Sequence, residues 1–276
     1  MAKFTTLVGA PAPFDPASTL VTSPVFSPMV LAVLRLIFGL TLLAGLLVNL
    51  IHRAVVDHTA QQFFSYFTML TGIGLMSYLF HCGWMGAVYA ARVRRRPATA
   101  SYPLQSWPRT LQVLHMILLA SVRTLPLLVS IVFWIFLAGG DTLKSVYGRY
   151  TNITLHALNT VFALFEVFLT HTPVSAWFNL IFMVLILGGY LGVAYITHAT
   201  QGFYTYGFLD PSHGAGKLAA YIVGIPVTEI IFFSLVNGLV ALRVKIAPKP
   251  AAPRHVGGGG GDVEKGEHES LKKSQN

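Results

Sequence analysis

The chain has 276 residues, of which 54% are hydrophobic and only 11% charged, against roughly 25% charged in a typical soluble domain. Nineteen Lys and Arg face ten Asp and Glu, a formal net charge of +9. A chain this apolar cannot cover a soluble globule with charge, so lipid is its expected solvent. The basic excess then reads as membrane topology and not as nucleic-acid binding, since no RNA- or DNA-binding motif accompanies it. A single cysteine, Cys82 in the apolar stretch Leu79–Trp84, excludes an internal disulfide framework and a Cys-rich metal site. It reads as a small buried hydrophobe. No cofactor or metal is expected.

Residues 1–28 carry five prolines and no apolar run suited to a cleavable signal peptide. They are expected to form a cytosolic N-terminal segment, with the first span acting as an uncleaved anchor. Six apolar stretches follow, at about Met29–Ile51, Phe63–Ala91, Leu111–Ala138, Asn152–Thr170, Trp177–Thr200 and Lys217–Leu242. Each is near the ~20 residues that cross a hydrocarbon core. The expected fold is therefore all-α: a polytopic membrane protein whose domain, residues 29–243, is a bundle of about six transmembrane helices. Residues 244–276, with their prolines, five consecutive glycines and acidic run, have almost nothing to bury and read as a disordered cytosolic tail. No internal repeat supports an inverted-repeat transporter.

Orientation follows the basic residues. Lys3, the loop holding Arg92, Arg94, Arg95, Arg96 and Arg109, and the C-terminal segment beginning Arg243 and Lys245 carry most of them. By the positive-inside rule both termini face the cytosol. Loops 52–62, 139–151 and 201–216 then face the lumen or exterior, and the sequon at Asn152-Ile-Thr154 lies too close to the membrane to be used. An integral protein of the endoplasmic reticulum is expected, with the plasma membrane as the alternative.

Ionisable residues inside a span are costly and are functional candidates by default. On the fourth stretch His156, Asn159, Ala163 and Glu166 fall on one stripe about 80° wide at 100° per residue. Such a stripe faces a bundle interior or a watery cavity; for Asn159 alone, interhelical hydrogen bonding is the simpler reading. Thr68 and Thr71 on the second stretch share a face. Taken singly, each reads as a threonine returning its hydroxyl to the preceding turn. Depth brings the groups together. Thr68 and Thr71 lie about 8–12 Å, and His156 about 6–8 Å, below the lumenal surface at ~1.5 Å per residue, with His198 in the same layer. Glu229 lies near the membrane centre. There is no nucleophile elbow, zinc-protease motif or phosphate loop, and His81, His115 and His171 read as interfacial or structural.

Three blocks carry a resemblance: Ser65-Tyr-Phe-Thr-Met-Leu-Thr71, Asn152-Ile-Thr-Leu-His156 with Glu166 ten residues on, and Tyr195-Ile-Thr-His198 running through Gln201 to Asp210. Across roughly residues 60–240 the chain resembles the androgen-induced-protein family of multi-span membrane proteins, and looks like a fungal branch of it. The family includes threonine hydrolases of fatty acid esters of hydroxy fatty acids. The resemblance implies a threonine nucleophile early in the second span and a histidine base opening the fourth. The histidine maps to His156. The threonine maps to Thr68 by the aromatic-x-Thr pattern and to Thr71 by the Leu-Thr pair; depth favours Thr68.

Two functions follow as expectations. In the first, the chain is an intramembrane lipid-ester hydrolase with Thr68 or Thr71 as nucleophile and His156 as base, since a threonine hydroxyl needs an adjacent base at neutral pH. Asn152, Asn159, Glu166 and His198 would line the substrate site. The partners are a lipid substrate and the membrane, with no nucleic acid. The alternative is a proton-coupled transporter or sensor using Glu166, Glu229 and the intramembrane histidines.

Overall fold

A computed structural model describes residues 2–247. Among them the secondary structure is helical, with no strand. The elements in chain order are α1 (Ala2–Leu7), α2 (Pro28–Val55), α3 (Phe67–Arg95), α4 (Arg109–Val132), α5 (Val146–Asn152), α6 (Asn159–Phe168), α7 (Asn179–Gln201) and α8 (Ala215–Ile246). Two π-helical turns interrupt this order. Phe133–Leu137 prolongs α4, and Ile153–Leu158 joins α5 to α6. Four of these helical stretches, Pro28–Val55, Arg109–Leu137, Asn179–Gln201 and Ala215–Ile246, are long and apolar enough to cross a membrane. All six apolar stretches of the sequence coincide with helix. The expected tail from residue 244 lies outside the described residues except at 244–247, where α8 continues to Ile246.

Local chemistry sets several boundaries. Ser27 caps α2 by accepting a hydrogen bond from Val30 N, and Pro28 supplies the first helical φ. Ser145 caps α5 by accepting from Gly148 N at 2.8 Å. Gly202, at φ 78°, ends α7 in the left-handed region that favours glycine. Pro126 sits inside α4, and the Thr160 hydroxyl of α6 donates to its carbonyl. This ties α6 to α4 where a proline weakens the helix's own hydrogen bonding.

Helices α2 and α3 form the closest pair because small residues line their seam. A Cβ built on Gly83 would lie 2.8 Å from Leu36 Cγ and 3.1 Å from the Ala32 carbonyl, so any side chain there would push the helices apart. Gly45 has the same role against Thr154 of the π-helical turn.

The N-terminal segment is not an appendage. Val8, Ala10, Phe14, Leu20 and Val21 are buried in one cluster with Leu75, Tyr78 and Leu79 of α3 and Val113, Met116 and Leu119 of α4. Its polar groups are equally committed. Asp15 accepts from Thr19 N at 2.8 Å, Leu20 N at 3.0 Å and the Tyr102 hydroxyl at 2.6 Å. Arg109 donates to the Ala10 and Pro11 carbonyls. Burial, followed by the adjacent Asp15 carboxylate, pushes the Tyr102 phenol well above its ordinary pKa. Ser23 donates to the Leu169 carbonyl at 2.6 Å, and Asn179 donates to that of Val8. The segment thus joins the 96–108 and 169–178 connections at one end of the bundle.

Candidate functional site

The opposite end of the bundle holds most of the residues singled out from sequence. An apolar cavity of about 190 Å³ lies between α3, α4, α7, α8 and residues 206–209. Thr68 is on its wall, with Phe133, Gly188, Tyr190 and Tyr206. Thr68 is buried where α3 starts, two residues after the extended Tyr66. The Tyr206 phenol is raised above its ordinary pKa by burial; hydrogen bonds with the Thr68 and Tyr190 side chains act in the opposite direction.

Thr71 faces elsewhere. Its hydroxyl donates to the carbonyls of Phe67 at 2.9 Å and Thr68 at 3.2 Å, and it lines a second cavity of about 210 Å³. Phe67 and Tyr190 stand between the two cavities, lining both. The i, i+3 spacing puts both threonines near one helix face, but 60° of angular separation is enough to send them into different spaces.

His156 is buried in the π-helical turn. Its ring stacks on Phe133 with centroids 3.5 Å apart and planes within 4°, and its carbonyl accepts from Ser130. The Nδ1 atom has no hydrogen-bond partner among the described residues. Phe133 is the first residue of the other π-helical turn, so both irregular turns meet at this stack. Single π turns inside helices occur frequently at functional sites. Thr68 and Phe133 line the same cavity, and His156 reaches it only through its stack on Phe133; no hydrogen bond joins Thr68 to His156 among the described residues.

The remaining candidates divide. Asn152 donates to the Thr142 carbonyl at 3.0 Å and anchors the 138–145 connection. Asn159 is fully buried, and neither amide atom has a partner among the described residues. His198, at the end of α7, stacks on Tyr204 at 3.8 Å, with its Nδ1 unpartnered. Glu166 is remote from this end: Arg35 grips both its oxygens, and Tyr78 donates to one of them at 3.0 Å. Glu229 accepts from Thr124 at 2.5 Å, and its second oxygen has no partner among the described residues.

A second cleft adjoins the first cavity. It has a volume of about 320 Å³ and shares Leu137, Phe208 and Tyr221 with it. Its walls add Asp210, His213 and Lys217. The Ser212 amide and side chain hold the half-buried Asp210 carboxyl below the usual range. The apolar cavity therefore grades into a polar cleft at the bundle end.

Sequence reasoning did not single out Tyr190, Tyr206 and Phe133, which line the cavity with Thr68, or Ser130, which donates to the His156 carbonyl. Tyr206 lies in the distinctive block ending at Asp210, but the other three sit in ordinary apolar helix without a local signal. No group of three His, Cys, Asp or Glu side chains able to hold a metal ion occurs among the described residues. No protein-family model, curated protein or solved structure matches this chain.

Proposed function

We propose that this chain is an intramembrane lipid-ester hydrolase with Thr68 as nucleophile and His156 as base. The observation that carries this reading is a shared cavity. Thr68 lines an apolar cavity suited to an acyl chain, and Phe133, which lines the same cavity, stacks on an imidazole whose Nδ1 has no partner among the described residues. Thr71 is the weaker nucleophile because its hydroxyl is already bonded to two carbonyls.

In the reaction, Thr68 Oγ attacks the ester carbonyl while His156 takes its proton. The imidazolium returns that proton to the departing alkoxide. Water, entering through the Asp210–Lys217 cleft, then hydrolyses the acyl-threonine with His156 again as base. Closing the Thr68–His156 pair requires the Phe133–His156 stack to open, a side-chain rotation within two irregular turns. No cofactor is called for. The resemblance to the androgen-induced-protein family and its fungal branch points to fatty acid esters of hydroxy fatty acids as the substrate class.

We infer six crossings. Besides the four most apolar helices, α3 has 29 residues, and the α5-to-α6 unit runs from Val146 to Phe168. At 1.5 Å per residue they are about 43 and 34 Å long, enough for a ~30 Å core. The N-terminal segment and the arginine-rich loop gather at one end, which supports cytosolic termini. The endoplasmic reticulum is the membrane this reading favours.

The second reading, a proton-coupled carrier, draws on the unpartnered oxygen of Glu229. It loses Glu166, which Arg35 already neutralises. Labelling of the folded chain by a fluorophosphonate probe separates the two. The hydrolase reacts and loses labelling in Thr68→Ala; a carrier is not labelled, and that result would remove the proposal.

A further inference from the structure

At the end of α3 away from the candidate site, Arg92, Arg95 and Arg96 line a cleft of about 400 Å³ closed by Thr99, Ala100 and Ser101. Arg92 and Arg95, at i and i+3, share a face of the last turn of α3, and Arg96 follows as the residue where the chain leaves the helix, so all three line the cleft. Arg92 is tethered, donating to the Ser101 carbonyl at 3.1 Å and to its hydroxyl at 3.3 Å. That tether folds the connection back over the helix end and forms the far wall. Arg95 and Arg96 make no side-chain hydrogen bond or ion pair among the described residues, and no acidic side chain lines the cleft.

The missing counter-ion is a property of the sequence as well as of the fold. The chain has no Asp or Glu between Asp57 and Asp141. The nearby Asp15 is committed to Thr19, Leu20 and Tyr102. Three like charges within one turn repel one another, so a cleft that collects them without an acid is matched to an anion from outside the chain. Guanidinium groups pair best with oxyanions that accept two parallel hydrogen bonds, and the hydroxyls of Thr99 and Ser101 are suited to the remaining oxygens.

We propose that this cleft is a phosphate-monoester site, filled by the headgroup phosphate of an anionic lipid. The cleft begins where the apolar part of α3 ends, which is the level of lipid phosphates when the helix crosses a bilayer. The proposal is independent of the hydrolase reading, because the cleft lies at the other end of α3 from Thr68. A topology signal alone would need only the charges, and would show no preference among anionic lipids.

The test uses the full chain in a neutral detergent, with native mass spectrometry and thermal unfolding as readouts. Phosphatidic acid, phosphatidylglycerol, phosphatidylcholine and inorganic phosphate are titrated separately. Phosphatidic acid should form a saturable one-to-one adduct and raise the midpoint of unfolding, at concentrations about tenfold below phosphatidylglycerol. Inorganic phosphate acting at micromolar concentration while the lipid does not would overturn the lipid source. The double variant Arg95→Gln/Arg96→Gln removes two exposed charges without touching the Arg92 tether, so it should fold normally. Its half-saturation should rise at least about tenfold. Equal behaviour of the two anionic lipids, no adduct, or an unchanged double variant would overturn the proposal.

Discussion

Arg35 of α2 and Glu166 of α6 form a two-pronged ion pair, Nε to Oε1 at 2.7 Å and Nη2 to Oε2 at 2.8 Å, with both side chains 0% exposed. Arg35 also donates to the Leu20 carbonyl, and Tyr78 donates to Glu166. The pair therefore ties α2, α3, α6 and the N-terminal segment at one point. Glu166, held by Arg35 and Tyr78, has the local environment of a structural carboxylate.

Breaking this pair from one side should be expensive. Glu166→Gln or Arg35→Met leaves an uncompensated buried charge and should cost about 3–5 kcal/mol. A lowered unfolding midpoint in detergent measures it. The double variant Arg35→Met/Glu166→Leu should recover most of the loss, because paired charges replaced by apolar groups of similar volume are often tolerated. A double variant no better than the singles would mean that the bonds to Leu20 and Tyr78 matter more than the charge pair.

The chemical prediction concerns three substitutions. His156→Ala and Thr68→Ala should each reduce ester hydrolysis by at least about a thousandfold, since members of a working dyad act as a unit. Both should stay folded. Thr71→Ala should keep most of the activity, because its hydroxyl only bonds back to its own helix, at a stability cost below about 1 kcal/mol. Near wild-type turnover in His156→Ala would end the hydrolase reading, and a silent Thr71→Ala with active Thr68→Ala would move the nucleophile.

The cavity can be filled without disturbing the fold. A Cβ on Gly188 meets nothing within 4 Å, and Gly188 lines the cavity beside Thr68. Gly188→Leu should leave stability unchanged or raise it by about 1 kcal/mol through helix propensity. Binding of a fluorescent long-chain fatty ester should weaken about tenfold or more as the cavity volume is taken up. Unchanged ester binding would show that the acyl chain lies elsewhere.

The N-terminal segment should prove indispensable. Leu20 is fully buried in the main cluster, so Leu20→Ala should cost about 2–5 kcal/mol. Asp15→Ala removes the acceptor for Thr19, Leu20 and Tyr102 and should cost about 1–3 kcal/mol by leaving those donors unsatisfied. Guarded thermal unfolding of the detergent-solubilised protein reads both. A variant lacking residues 2–22 that unfolds like the full chain would refute this role.

Sequence alone determined where the helices lie. Lipid as solvent forces every backbone group into an internal hydrogen bond, so each long apolar stretch had to become a helix, with polar breaks and glycines such as Gly202 marking the ends. It also drew attention to Thr68, His156 and Glu166, because polar groups in such stretches are conspicuous. The tertiary structure decided what those groups do. Periodicity put His156 and Glu166 on one stripe, yet a π-helical turn shifts the register at Ile153–Leu158, and Arg35, 131 residues from Glu166, claims the carboxylate. Thr68 and Thr71 were equivalent by spacing and differ only because Phe67 and Tyr190 divide the space before them. The N-terminal segment read from sequence only as a cytosolic segment; its apolar residues are buried by contacts with α3 and α4. Periodicity is a local property of the chain, whereas an ion pair, a cavity wall or a buried loop depends on which distant residues arrive at the same place.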